Sequence, residues 1–286
     1  MNTNERFISP LLQKDQSQMP FILENPKKTL EDLVLPEATR QQIESLLQKV
    51  KLHDILYEKF GMSKVDMSGG RTAINLYGPP GTGKSVTAEA IANALGKSMI
   101  RINYAEIESK FVGETPKNIK EAFRFAGEND AVLFFDEADS ILGKRLSNVS
   151  QSTDHAVNVS RSVMLLELDS FKGVTIFATN FMSNYDSAFV RRIIGHIEMP
   201  LPTEQGRIQL YQKMLPAEYP KAITDEELYD IARHSEGLSG AEILNVIMNA
   251  ATFALNREGI QCKVSMNDFE LAIEGVRKAK RANGQI

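Results

Sequence analysis

The stretch Gly78-Pro79-Pro80-Gly81-Thr82-Gly83-Lys84-Ser85 fits the pattern G-x-x-x-x-G-K-[ST] and lies between a short apolar segment and an amphipathic one. Each fixed position has a mechanical reason. The glycines let the backbone take positive φ and turn its N–H groups inward around phosphate oxygens. Lys84 is placed to reach the β- and γ-phosphates, and the Ser85 hydroxyl to face Mg²⁺. Upstream, Ala73-Ile74-Asn75-Leu76-Tyr77, bounded by glycines at 69, 70 and 78, reads as a buried strand that feeds the loop. Downstream, residues 85–95 carry Val86, Ala90, Ile91 and Ala94 on one side. They read as a helix whose positive N-terminal end points at the triphosphate.

Further strands are predicted at 98–103, 131–135 and 174–179. The second is the continuous apolar run Ala131-Val132-Leu133-Phe134-Phe135, and it leads straight into Asp136-Glu137-Ala138-Asp139. A strand buried on both faces that delivers acids at its C-terminal edge is where an open parallel sheet places its ligand. There Asp136 can hold Mg²⁺ together with Ser85, while Glu137 can orient and deprotonate an attacking water. The strand at 174–179 ends in Asn180, whose amide can reach the γ-phosphate or the water, or can cap the next turn. The pair Arg191-Arg192 could stabilise charge in phosphoryl transfer, although arginine pairs more often form surface ion pairs.

The rest of the chain is organised around this sheet. Residues 1–28 read as a flexible N-terminal arm, 29–202 as an α/β nucleotide-binding domain and 203–286 as a small all-helical lid domain. Helical spacing is expected over 37–60, stopping at Gly61, and over 118–126 and 154–168. After Thr203 it continues at 204–215, 225–235, 239–257 and 267–280. Thr224 and Ser239, each followed closely by acids, look like helix starts. A short strand is expected near 262–264, and the polar run 143–154 reads as a loop. Phe111 and Val112 fall in another loop, where they are either exposed or folded back on the core.

Composition narrows the function. The chain has 286 residues, 42% of them hydrophobic, and a formal net charge of −4, which gives no basic footprint for nucleic acid. The run Arg277-Lys278-Ala279-Lys280-Arg281 suits a helix C-terminus. A single cysteine, Cys262, reads as structural, no stretch approaches membrane-spanning length, and the expected compartment is the cytosol.

Taken together these residues resemble the AAA+ ATPases, in the clade whose first motif reads G-P-P-G-T-G-K. The resemblance covers residues 29–280 and implies a P-loop NTPase parallel sheet flanked by helices and followed by the helical lid. It implies ATP and Mg²⁺ as cofactors, with the nucleotide held by Gly78, Pro79, Pro80, Gly81, Thr82, Gly83, Lys84, Ser85, Val86 and Asp136. Ser85 and Asp136 would hold the metal, Glu137 would be the base and Asn180 the first sensor. Gly240 and Ala241, within Gly237-Leu238-Ser239-Gly240-Ala241-Glu242, would lie near the adenine. Arg192, or Arg191 if the alignment moves by one residue, would be the arginine finger reaching the ATP of an adjacent subunit. Lys110, Phe111, Val112 and Gly113 would form a pore loop gripping a polypeptide inside a ring, usually a hexamer.

Two features depart from the family pattern. Gly195 stands where a second finger arginine is common, and only the short arm precedes the ATPase. The run Tyr185-Asp186-Ser187-Ala188-Phe189-Val190-Arg191-Arg192 is similar to small bacterial ATPases and to the pachytene-checkpoint-type remodellers. That likeness implies a HORMA-domain protein as partner. The leading expectation is an ATP-hydrolysing protein remodeller, with a nucleotide-dependent assembly switch or clamp as the competing class.

Overall fold

The computed structural model describes residues 21–66, 72–110, 114–143, 152–180 and 185–282. In chain order, a two-residue strand β1 (Leu23–Glu24) precedes helix α1 (Glu37–Lys51), which continues through a wide helical turn at Ile55–Lys59. Gly61, in the left-handed conformation with φ 72°, ends that run as the sequence predicts. Strand β2 (Ala73–Tyr77) and helix α2 (Lys84–Ala94) flank the glycine loop, and β3 (Met99–Asn103) leads into α3 (Tyr104–Lys110) and α4 (Thr115–Glu128). Then follow β4 (Val132–Asp136), α5 (Asp139–Leu142), α6 (Ser152–Ser170), β5 (Thr175–Thr179), α7 (Ser187–Val190) and β6 (Ile193–Glu198). The remainder is helical: α8 (Glu204–Met214), α9 (Asp225–His234), α10 (Gly240–Glu258) and α11 (Met266–Ala282).

The strands form one six-stranded sheet in the order β1-β3-β4-β5-β2-β6. All neighbours pair in parallel except β1, which runs antiparallel to β3 at the edge. Alternation along each strand divides the apolar residues between two cores. Leu133, Phe135 and Phe177 face α4 and α6, whereas Val132, Phe134 and Ile176 face α1 and α2. Burial on both faces explains why the strands read as unbroken apolar runs. The switch in strand order falls between β4 and β2, with β5 between them, and it opens the crevice at the C-terminal strand ends.

Several expectations are corrected. Residues 21–28, expected within the arm, pack on the α/β domain: Leu23 and Glu24 pair with β3, and residues 26–28 bond to α2. The Phe21 and Phe125 rings meet tilted at 32° with centroids 5.9 Å apart, and the Lys27 backbone N–H donates to Glu89 at 2.9 Å. Strand β6 was not foreseen. The segment at 262–264 makes only a single bridge, Lys221 to Val264.

The lid has its own core, in which Tyr211, Ile231, Val246, Ala250 and Phe269 are buried together. Both foreseen helix starts are reciprocal caps. Thr224 Oγ1 accepts from the Glu227 N–H at 3.2 Å while Glu227 Oε2 accepts from the Thr224 N–H at 2.7 Å, and Ser239 and Glu242 repeat the arrangement. Asp268 is fully buried at the start of α11 and accepts from both Arg257 Nη groups, from Ser265 Oγ at 2.7 Å and from the Ser265 N–H at 2.9 Å. The Arg257 guanidinium is the chief cause that holds its carboxyl down at about 2, against an ordinary 3.8. A depressed carboxyl contributes stability that is complete above 3.8 and is lost as pH falls towards 2. Asp268→Asn should therefore cost about 2–3 kcal/mol at neutral pH, the scale of hydrogen bonds to a charged group. Urea midpoints of variant and wild type should converge as the pH is lowered through that window.

Candidate nucleotide site

The glycine loop leaves β2 at Tyr77 and is fixed by its neighbours. The Gly78 N–H donates to the Thr179 carbonyl at 3.2 Å, and the Met199 N–H donates to the Tyr77 carbonyl at 2.7 Å. With φ at 148°, Gly78 sits so tightly that a Cβ would stand 2.2 Å from the Met199 carbonyl oxygen. Gly81, at φ 75°, touches the lid: an added Cβ would fall 2.6 Å from Ser239 Oγ and 2.9 Å from Ala241 Cβ. The Ala241 N–H donates to the Gly81 carbonyl at 3.2 Å, so lid and loop share a hydrogen bond.

Lys84 is only 9% exposed, and its ammonium donates to the Gly78 carbonyl at 2.7 Å, the Pro79 carbonyl at 3.0 Å and Asn180 Oδ1 at 3.1 Å. These three acceptors are neutral. Burial pushes the amine down from its ordinary value, against the opposing pull of the Asp139 and Asp136 charges. A desolvated cation facing a cavity suits an anionic ligand. Ser85 Oγ donates to Asp136 Oδ2 at 2.8 Å, which brings together one hydroxyl and one carboxylate, the oxygen donors that a phosphate-bound Mg²⁺ uses. The residues therefore fit a magnesium nucleoside triphosphate.

Glu137 takes φ 53°, a left-handed conformation that costs a non-glycine residue about 1 kcal/mol. It is held there from both sides. Its N–H donates to Asp136 Oδ1 at 3.0 Å, and the next N–H, of Ala138, donates to the Ala178 carbonyl of β5 at 3.0 Å. The twist leaves the Glu137 side chain exposed at the cavity wall, where a water could be activated.

Asp139 was read only as part of the acidic run. It accepts from the Asn180 N–H at 2.9 Å and from Asn180 Nδ2 at 3.4 Å, and so turns the Asn180 amide oxygen towards Lys84. The available signal was an acid on the first turn after Asp136. The apolar wall was also missed. Leu33, Val34, Met199, Pro200, Leu210 and Met214 also line the cavity, of about 570 Å³, a surface suited to a flat base. Gly240, Ala241 and Val86 also line it.

Arg191 and Arg192 do not line this cavity. Arg192 donates to Asp169 through Nη2 at 2.6 Å and Nε at 2.9 Å, and through Nη1 to the Ala188 carbonyl at 3.0 Å. Arg191 is exposed and, among the described residues, reaches only the Ser187 carbonyl, at 3.3 Å. Phe111, Val112 and Gly113 lie outside the described residues, and Lys110 ends α3.

Gly195 lies within β6 beside a register shift, paired with Ile74. A Cβ there would stand 2.4 Å from Leu46 Cδ1, on the buried face of α1. The position thus packs a helix against the sheet, and an arginine would displace core. Gly195→Arg should cost about 1–3 kcal/mol by overpacking, read as a lower urea midpoint, with no gain in ATPase rate.

Loop, acids and amide define a P-loop nucleotide-binding protein. Residues 74–201 match the family model described as "ATPase family associated with various cellular activities (AAA)", and residues 225–271 match "AAA+ lid domain". The chain is 36% identical over 262 residues to a proteasome-activating nucleotidase of Archaeoglobus fulgidus, a match covering 89% of this chain and 63% of that protein. It is 30% identical over 290 residues to a 26S proteasome regulatory subunit 8 homolog of Schizosaccharomyces pombe, covering 94% of this chain and 70% of that protein. In fold it is like the crystal structure of the FIGL-1 AAA domain in complex with ADP, with a TM-score of 0.72 at 23% identity over 90% of this chain and 87% of the other. The chain belongs to the AAA ATPase family. It spans roughly three fifths of the length of the archaeal nucleotidases it matches. No helix among the described residues is long and apolar enough to cross a membrane.

Proposed function

We propose that this chain hydrolyses ATP at the interfaces of a homo-oligomeric ring, a hexamer by resemblance, and uses the energy to remodel a partner polypeptide. The observation that carries the reading is the division of the site. Lys84, Ser85, Asp136, Glu137 and Asn180 converge on one cavity, whose described lining contains no arginine, while Arg191 and Arg192 are held elsewhere on the same chain. When bound, Mg²⁺ would neutralise charge on the phosphates, between Ser85 and Asp136. Lys84 would trade its backbone carbonyls for phosphate oxygens, Asn180 would orient the water and Glu137 would take its proton.

The proteasomal relatives, by their names, support action on protein chains in general; a loop at 110–113 as its carrier and the cytosol as its setting are further parts of this proposal. A HORMA-domain protein is the partner implied by the likeness of residues 185–192 to pachytene-checkpoint-type remodellers. An unfolded polypeptide is therefore the first substrate to use. ATPase rate per subunit should rise with protein concentration, and an unfolded model polypeptide should stimulate it in wild type but not in Phe111→Ala. A rate independent of concentration would identify instead a self-sufficient nucleotide switch. Interfacial hydrolysis with unimpaired polypeptide stimulation in the variant would remove the threading step.

A further inference from the structure

Asn75 is an anomaly in a central strand. It is fully buried in β2 between Ile74 and Leu76, where an aliphatic side chain would satisfy the sheet without any need for partners. Its amide belongs to a closed ring of hydrogen bonds. Asn75 Nδ2 donates to Tyr185 Oη at 3.2 Å, and Thr179 Oγ1 donates to Asn75 Oδ1 at 3.3 Å. The Tyr185 and Thr179 hydroxyls bond to each other. Thr179 has given its one hydrogen to Asn75, so Tyr185 must be the donor in the last bond. Each member both donates and accepts, an arrangement in which bonds strengthen one another and a single deletion leaves the others unmatched.

The ring ties together three parts of the nucleotide machinery. Asn75 stands two residues before Tyr77, the last residue before the glycine loop. Thr179 immediately precedes the sensor Asn180, which touches Lys84 and Asp139. Tyr185 opens the segment that carries the arginines. Its backbone bridges to Gly143, and the Asp186 N–H donates to the Leu142 carbonyl at 2.9 Å. From there hydrogen bonds carry the chain to the arginines. Asp186 Oδ1 caps α7 by accepting from the Ala188 N–H at 2.8 Å, and the Arg192 N–H donates to the Phe189 carbonyl at 2.9 Å. Tyr185 does not line the nucleotide cavity, so its hydroxyl can affect hydrolysis only through what it positions.

We propose that the Tyr185 hydroxyl, locked to Asn75 and Thr179, is a positioning group that sets the arginine-bearing segment in register with the sensor strand. One subunit's nucleotide site would thereby set the finger it presents to the next. The inference rests on the interfacial reading above. It makes Tyr185 act in trans, on the neighbour's nucleotide, although it lies in the same chain as its own.

The test is complementation in mixed rings. Tyr185→Phe should bind ADP within about twofold of wild type and hydrolyse ATP at least about tenfold more slowly. Asn75→Leu should behave alike, and it keeps the test open if the first variant folds poorly. Either is then mixed with Lys84→Ala, whose subunits lack a nucleotide site but present an intact arginine segment. Activity per Tyr185→Phe subunit should recover several-fold, because its own site now meets a sound finger. Arg192→Ala mixed with Lys84→Ala is the control. If the control recovers and the Tyr185 and Asn75 variants do not, these residues act on their own site or on stability alone, and the inference is overturned. If the control does not recover, the interfacial reading fails and takes the inference with it. A Tyr185→Phe rate equal to wild type also overturns it.

Discussion

Arg192→Ala is expected to lower the ATPase rate of assembled protein by about 10³-fold or more, the scale on which a finger arginine supplied from a neighbouring molecule acts. Nucleotide affinity should be little changed, because in the proposed interfacial site the binding groups would all lie on the other chain. We take Arg192 before Arg191 as the proposed finger because of how each is held. Two bonds to Asp169 and one to the Ala188 carbonyl fix the Arg192 guanidinium, whereas Arg191 is exposed with one weak backbone contact. An ion pair of this kind preorganises a long side chain, and its carboxylate can be exchanged for phosphate oxygens when subunits meet. Mixing should expose the trans action: adding Arg192→Ala to wild type should lower the total rate by more than dilution does, since each variant subunit spoils a neighbour's site. Arg191→Ala should retain most of its activity. The reverse pattern would assign the finger to Arg191, and full activity in both variants would leave the site without a trans cation.

The parts of this site that the sequence made legible are those whose chemistry is local. The glycine loop, the apolar run ending in Asp136 and Glu137, and the strand ending in Asn180 are each continuous in the chain and carry their own periodicity. What stayed hidden depends on residues distant in sequence. Gly78 must be glycine because the Met199 carbonyl closes on it, and Gly81 because Ser239 and Ala241 of the lid rest against it; phosphate geometry is only part of the reason. Asp139 orients the sensor only because β4 and β5 end side by side. Strand β6 escaped notice because it contains Gly195, carries an extra residue at a bulge and begins directly after two arginines, all of which weaken a strand signal. Gly195 itself looked like a lost arginine, whereas in the fold it is the contact that seats α1. The lid was legible in its caps, since Thr224 with Glu227 and Ser239 with Glu242 are a pattern only four residues long.

Glu137→Gln should trap ATP. The exchange removes the basic oxygen but keeps size and planarity, and it leaves Lys84, Ser85 and Asp136 untouched, so binding should survive while hydrolysis falls by about 10²- to 10⁴-fold, the range for a positioned general base. The backbone supplies a reason to expect the upper part of that range. Glu137 is held at φ 53° between an N–H given to Asp136 and a neighbour tied to Ala178, strain that would confer nothing on a merely solvated surface acid. Lys84→Ala is the contrasting loss. Removing a cation that is buried against Gly78, Pro79 and Asn180 should abolish nucleotide binding itself, since the phosphates would lose the lysine that lines the cavity. The two variants therefore separate binding from chemistry. In single-turnover assays Glu137→Gln should hold unhydrolysed ATP and, because bound nucleotide favours whatever assembly binds it best, elute as the larger species when ATP is present. Lys84→Ala should elute alike with or without ATP. Normal hydrolysis by Glu137→Gln would show that the base lies elsewhere, and Asp139, already bonded to the sensor amide, would then be the carboxylate to replace next.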